Sequence, residues 1–185
     1  MKPLYKLMPK HIDIHSHVNF AAYDDDRSEV ISRALDSDTW MINVGTQYNT
    51  SKAAVEIAEQ YEQGIYAIIG VHPIHTSKSY HDEVELGAGN KEFTSRGEVF
   101  DVQTYKDLAQ SDKVVGIGEC GLDYYRNTEE TKTLQETAFR AQIELALELD
   151  LPLMLHVRDA YEDVLAILDD YPDARGDVHF FAGDT

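Results

Sequence analysis

The stretch Val114-Val115-Gly116-Ile117-Gly118-Glu119-Cys120-Gly121-Leu122-Asp123 starts apolar and ends on a carboxylate set between glycines. The residues Val114–Glu119 read as a buried strand. A carboxylate at the end of such a strand is costly unless it is paired or bound to a cation. Flanking glycines let backbone or ligand approach closely. Cys120 has two readings, a nucleophile or a small packing residue; no partner base is suggested, which favours packing.

Outward from this stretch the same pattern recurs: a short apolar run that stops at polar residues. The expected strands are His11–His15, Thr39–Val44, Tyr66–Val71, Val114–Glu119, Leu153–His156 and Asp177–Phe180. Helical spacing fills the intervals. Ser28–Leu35 places Val30, Ile31, Ala34 and Leu35 on one face, and Ser51–Gln63 does so with Ala54, Val55, Ala58 and Tyr61, with Ser51 as N-cap. Asp101–Gln110 is capped by Asp101; Thr131–Asp150 turns Ala138, Ile143, Ala146 and Leu147 to the core; Tyr161–Asp170 closes the series. Strand–helix alternation with continuously apolar strands implies a parallel sheet covered by helices. Two architectures satisfy it, an open doubly wound sheet and a closed (β/α)8 barrel.

The ionisable residues that look chemical fall where the strands stop. The first strand ends in His15-Ser16-His17, and an i, i+2 pair on extended backbone points both imidazoles to one side. Zinc and similar metals accept neutral imidazole readily. The fourth ends at Glu119, the fifth at His156-Val157-Arg158-Asp159 and the sixth at His179. In a barrel such ends converge on one mouth. Four imidazoles with Glu119 as the bridge would there make a binuclear centre.

From Thr76 to Phe100 the rhythm breaks into a polar, glycine-bearing insertion expected to sit over the site. Within it Glu92–Asp101 reads as a small hairpin turning at Ser95-Arg96-Gly97. No linker or repeat marks a second domain, so residues 1–185 are read as one.

Composition bounds the partners. Thirty-four acids against sixteen bases give a net charge of −18, a field that repels nucleic acid and anionic membrane unless something positive is supplied locally. A bound divalent metal pair would supply it. The single Cys120 excludes a disulfide scaffold, and Met1–Lys10 lacks the apolar segment of a secretory signal. Ile65–Val71 is too short to span a bilayer. The expectation is a cytoplasmic protein with no membrane association and no obligate protein partner.

The motifs Asp13-Ile14-His15-Ser16-His17, Gly70-Val71-His72-Pro73, Gly118-Glu119-Cys120-Gly121-Leu122-Asp123-Tyr124, His156-Val157-Arg158-Asp159-Ala160 and His179-Phe180-Phe181-Ala182-Gly183 stand in an order that resembles the TatD-type metal-dependent deoxyribonucleases of the amidohydrolase superfamily. The resemblance implies a TIM-type (β/α)8 barrel. It also implies two divalent ions (zinc, magnesium or manganese), with His15 and His17 on one, His156 and His179 on the other, and Glu119 between them. His72 and Arg158 would stand near the substrate, where donors suit a phosphate. Asp123 and Asp159 would accept from ligand imidazoles and fix their tautomers; Asp159 also suits an N-cap before Ala160. Glu119 stands where many binuclear amidohydrolases place a carboxylated lysine.

Two departures accompany the resemblance. The Glu-Thr-Asp-x-Pro-like motif, whose aspartate contacts a metal late in the family's barrel, does not occur before Thr185. The Thr76–Phe100 insertion is also longer than expected. With 185 residues against about 250 for a full barrel, the sequence reads as a barrel ending after about six strands. The implied chemistry is hydrolysis of DNA phosphodiesters, at single-stranded or terminal positions, by a metal-activated water. Two alternatives stand beside it: hydrolysis of a small ester or amide by the same metals, and an inactive metal-binding fragment.

Overall fold

The computed structural model describes residues 8–78, 80–81, 93–126 and 128–183. In chain order the strands are β1 (His11–Ser16), β2 (Thr39–Val44), β3 (Ile65–Ile69), β4 (Tyr80–His81), β5 (Phe93–Thr94), β6 (Val114–Asp123), β7 (Leu153–Arg158) and β8 (Gly176–Val178). The helices are α1 (Arg27–Asp36), α2 (Tyr48–Ala58), α3 (Val102–Leu108), α4 (Glu129–Leu149) and α5 (Tyr161–Leu168). None is long and apolar enough to cross a membrane.

One six-stranded parallel sheet runs β1-β2-β3-β6-β7-β8, while β4 and β5 pair antiparallel apart from it. Each sheet strand lies beside the next in sequence, so the order never reverses as it does at the switch point of a doubly wound sheet. The sheet curls into part of a barrel, and the choice between architectures is settled. β1 and β8 form its two edges.

The largest core cluster packs Phe139, Ile143, Leu145 and Ala146 of α4 against Ile69, Ile117, Leu122, Leu153 and Leu155 of the sheet. On the other face of the sheet Val44, Ile68 and Met154 form a smaller cluster. Strands buried on both faces explain the continuous apolar runs. Leu147, expected in the core, is exposed, and Leu145 is buried in its place. The buried stripe of α4 runs through Gln135, Ala138, Phe139, Gln142, Ile143 and Ala146, and Leu147 falls beyond its edge.

Several boundaries differ from the sequence reading for identifiable reasons. β6 continues four residues past Glu119, because β7 keeps pairing with it: Gly121 with His156, Leu122 with Val157 and Asp123 with Arg158. The glycines make this pairing sterically possible. Gly118 and Gly121 have φ of 151° and 132°. A Cβ on Gly121 would lie 2.2 Å from the His156 carbonyl oxygen, and one on Gly118 would lie 2.6 Å from that of Met154.

α2 starts at Tyr48, with Gln47 rather than Ser51 at the N-cap. Thr50 Oγ1 accepts from the Gln47 N–H at 3.1 Å. Ser51 is instead buried one turn in, bonded to both Gly70 N and Gly70 O. The N-cap of α5 is Ala160, not Asp159; Asp159 has φ of 55° and is exposed. The Asp101 cap of α3 is present, its carboxylate accepting from Thr104 N at 2.8 Å.

The hairpin expected at Glu92–Asp101 is not formed. Phe93–Thr94 pairs upstream with Tyr80–His81, and residues 95–101 contain no strand. The reason lies in two anchors: Ser95 turns inward to His75, and the Glu98 carboxylate docks on the Tyr48 N–H. Glu92, with residues 79 and 82–91 of the insertion, lies outside the described residues.

Candidate metal centre

The C-terminal ends of β1, β3, β6, β7 and β8 bring six of the seven site residues expected from sequence to one place. Glu119 is its hub. The residue is 4% exposed. Its Oε1 lies 2.6 Å from His179 Nε2, 3.2 Å from His156 Nδ1 and 3.4 Å from His72 Nε2. Its Oε2 lies 3.5 Å from His15 Nε2 and 4.0 Å from His17 Nε2. Burial raises the pKa of this carboxylate, but the surrounding imidazoles outweigh it and hold the group well below the usual range.

The rings crowd together. His15 stacks on His179 at 4.1 Å between centroids and approaches His17 edge-on, with Nε2 to Nε2 at 3.1 Å. His72 and His156 are also 4.1 Å apart. Donor atoms of His15, Glu119 and His179 lie within 4.8 Å of one another, and so do those of His72, Glu119 and His156. The first set crosses the pairing expected from sequence, since His15 lies against His179 as well as His17.

Hydrogen bonds behind the cluster set which nitrogen faces inward. A carbonyl can only accept, so the 3.0 Å contact from His17 Nδ1 to Val44 O places the proton on Nδ1 and leaves the Nε2 lone pair facing the cluster. His156 Nε2 lies 2.9 Å from Asp123 Oδ2 while Nδ1 faces Glu119. Burial lowers the His156 pKa, but the two carboxylates overcome this and raise it to about 9. His72 behaves differently: burial and the neighbouring His156 push it down to about 4, so its ring is neutral. Its Nδ1 accepts from Ile74 N at 3.2 Å, which puts the proton on Nε2, facing Glu119. His72 is therefore a donor to the carboxylate, although its position alone would allow ligation.

The residues fit divalent cations. Five imidazoles cannot all be satisfied by one carboxylate, and His15 Nδ1 and His179 Nε2 are buried with no hydrogen-bond partner among the described residues. His179 Nε2 stands 2.6 Å from Glu119 Oε1, a separation that two unprotonated acceptors hold only with a proton or a cation between them. Imidazoles gathered on a shared carboxylate are the donor set that a borderline metal accepts.

The matching family is TatD related DNase, aligned over residues 12–185. The chain belongs to the TatD family. It is 38% identical over 174 residues to the uncharacterized metal-dependent hydrolase YabD of Bacillus subtilis (strain 168), covering 92% of this chain and 60% of that protein. It is 36% identical over 178 residues to the 3'-5' ssDNA/RNA exonuclease TatD of Yersinia pseudotuberculosis, covering 94% and 60%. Among solved structures, YJJV, a TatD homologue from Escherichia coli, superposes with a TM-score of 0.71 at 27% identity over 94% of this chain and 61% of that one. The chain thus spans about 60% of the length of these TatD relatives.

The remaining expected residues are near the cluster in different ways. Arg158 lies with its guanidinium carbon 3.7 Å above the Tyr125 ring centroid. It lines a cavity of about 440 Å³ with His156, His179, Asp159 and Tyr161. Asp123 contacts the His156 imidazole, 2.9 Å from its Nε2; Asp159 makes no hydrogen bond to an imidazole of the cluster among the described residues. Cys120 is fully buried, its Sγ 3.7 Å from Met154 O, and burial pushes its thiol pKa far up, so it is a packing residue.

Three residues escaped the sequence reading. His75 closes the one-turn 3-10 helix that begins after His72 and lines the cluster's cavity of about 450 Å³. The spacing of three from His72 was its signal. Gln135 and Gln142, seven apart on α4, each make a two-point bond to strand-end backbone. Gln135 holds Asp123 N and O at 2.8 and 3.0 Å; Gln142 holds Val71 N and O at 2.8 and 3.1 Å. Their signal was polarity on the core face of a helix.

Proposed function

We propose that this chain forms the metal site of a hydrolase that cleaves phosphodiester bonds of single-stranded nucleic acid, with His15, His17, His156, His179 and Glu119 as ligands of two divalent ions. One observation carries this reading: five imidazoles converge within 4.0 Å of one buried carboxylate at the mouth of a curled parallel sheet. The imidazole-rich set suits zinc better than magnesium. When bound, such ions polarise a phosphoryl oxygen and bring the pKa of water toward neutrality.

The chain's own residues do the positioning. Val44 O and Asp123 fix the rings of His17 and His156. His72 Nε2–H donates toward Glu119 and limits which way its carboxylate turns. Arg158, its guanidinium carbon 3.7 Å from the Tyr125 ring centroid, lines the cavity beside His156 and His179, where a guanidinium suits a substrate phosphate. At −18 the protein is a poor binder of long duplexes, so short or single-stranded ends suit it better. TatD relatives named as ssDNA/RNA exonucleases support the same substrate class.

The test is hydrolysis of an end-labelled single-stranded oligodeoxynucleotide with zinc, manganese or magnesium, and with chelator. Stepwise, chelator-sensitive shortening is expected. Turnover of small esters or cyclic amides alone would overturn the nuclease reading and leave the hydrolase class.

A further inference from the structure

β2 ends at Val44 and brings no imidazole or carboxylate to the cluster, yet the loop after it is bonded to three of the cluster's residues. Three successive carbonyls make these bonds. Val44 O accepts from His17 Nδ1 at 3.0 Å, Gly45 O from Glu119 N at 3.0 Å and Thr46 O from His72 N at 2.8 Å. The bond to Glu119 has a clear origin in the sheet. The register of β6 against β7 shifts between Gly118 and Cys120, and its pairing with β3 ends at Ile117. Glu119 therefore falls in a gap of both ladders, where an unpaired N–H needs a partner from elsewhere.

The shape of this loop is set from the first turn of α2. Thr50 Oγ1 accepts from Thr46 N at 2.9 Å and from Gln47 N at 3.1 Å, and donates to Gln47 O at 3.0 Å. One hydroxyl thus engages one donor and two acceptor positions. Closing the start of α2 requires only the bond to Gln47 N, since Gln47 is the N-cap. The bond to Thr46 N reaches beyond the helix, to the residue whose carbonyl holds His72. Buried Asn19 adds a second tie, its Nδ2 donating to Val44 O at 3.1 Å and to Thr50 O at 3.0 Å. Loop and helix are in tight contact: a Cβ on Gly45 would lie 2.2 Å from Ser51 Oγ.

We infer that Thr50 is a positioning residue for the metal cluster: through the carbonyls of residues 44–46 its hydroxyl sets where Glu119, His72 and His17 stand. The inference rests on the metal-site reading and adds to it a residue that holds no ion itself. Without the hydroxyl, Thr46 N and Gln47 N lose their acceptor, and the loop turns toward water to satisfy them. Its carbonyls then leave the Glu119 and His72 N–H groups. The bridging carboxylate and the imidazole facing it shift relative to His156, which β7 continues to hold. Metal affinity depends on ligand orientation of this kind.

The experiment follows two quantities in the full chain. One is the amide hydrogen exchange of Glu119 and His72, read by NMR without metal and relative to Ile117. The Ile117 N–H is bonded to Pro152 O at 2.9 Å, on the β7 side of the strand, and reports general loosening. The other is zinc affinity, from competition with a coloured chelator. Thr50→Val removes the hydroxyl and keeps the shape, Thr50→Ala removes it with less bulk, and Thr50→Ser retains it. In the valine and alanine variants relative protection and zinc affinity are each expected to fall about tenfold, with both restored in Thr50→Ser. Asp101→Ala, which removes the cap of α3, is expected to lower the melting temperature and leave both quantities at wild-type values. Relative protection unmoved in both hydroxyl-free variants, zinc affinity within twofold of the wild type's, no recovery in Thr50→Ser, or an equal fall in Asp101→Ala overturns the inference. A wild-type chain that binds no zinc removes the metal-site reading instead, and the exchange data alone then decide whether Thr50 positions Glu119 and His72.

Discussion

His156 is held between two carboxylates: its Nε2 lies 2.9 Å from Asp123 Oδ2 and its Nδ1 lies 3.2 Å from Glu119 Oε1. Both acids belong to β6, four residues apart, a spacing that puts two side chains on one face of a strand. Asp123 is in turn fixed by Gln135 of α4, which bonds its backbone N and O. A chain of contacts thus runs from a helix on the outside of the sheet to the histidine cluster.

Asp123→Asn keeps the shape but removes the charge that orients His156. Metal affinity is expected to fall by about 10–100-fold, the usual cost of losing such a partner. Competition with a coloured chelator measures it, and an unchanged circular dichroism spectrum shows that the fold is retained. Affinity within twofold of wild type would remove Asp123 from this role.

Gln142→Leu tests the other glutamine. Gln142 is 1% exposed, and its amide satisfies both polar groups of Val71, the residue before His72. Leucine leaves a buried N–H and C=O unpaired, at a cost of about 2–4 kcal/mol. The melting temperature should drop by about 5–15 °C. A loss of less than a degree would mean that these bonds are replaced by water.

Gly121→Ala tests the strand pairing that delivers His156. With φ of 132° and a Cβ position 2.2 Å from His156 O, no side chain fits without parting β6 from β7. Destabilisation of at least about 3 kcal/mol is expected, from a backbone conformation that L-residues rarely adopt together with the steric clash. Urea denaturation measures it. A neutral result would show that the strands part easily here.

These elements show what was legible in the sequence. Thr39–Val44 was read with its observed boundaries because a mainly apolar run, Trp40-Met41-Ile42 and Val44, stands between polar segments. The histidines and Glu119 were legible because they interrupt apolar runs at strand ends. The end of β6 was not, since its last four residues are held by pairing with β7 rather than by their own propensity. Ser51 resembled a cap by residue type, but Gln47 and Thr50 already close that helix end and leave Ser51 to bond Gly70. The turn expected at Ser95-Arg96-Gly97 gave way to long-range anchors, Ser95 on His75 and Glu98 on Tyr48, which no local pattern announces. The tautomer of His72 depends on the Ile74 N–H, a capping contact of the turn after β3 that residue type alone does not announce.

Metal should also stabilise the fold. Ions that bind the folded cluster and not the unfolded chain add about 2.7 kcal/mol at a hundred times their dissociation constant. Thermal melts with chelator, and then with excess zinc, should differ by several degrees. In Glu119→Ala the difference should vanish, and coincident wild-type melts would count against a shared metal site.

The most direct test of the account is the metal content of the purified chain, measured by plasma mass spectrometry for the wild type and Glu119→Ala after equilibration with zinc and desalting. The account predicts about two zinc ions per wild-type chain, and none retained by a Glu119→Ala variant that is still folded. Equal zinc in the two proteins, or none in either, would contradict it.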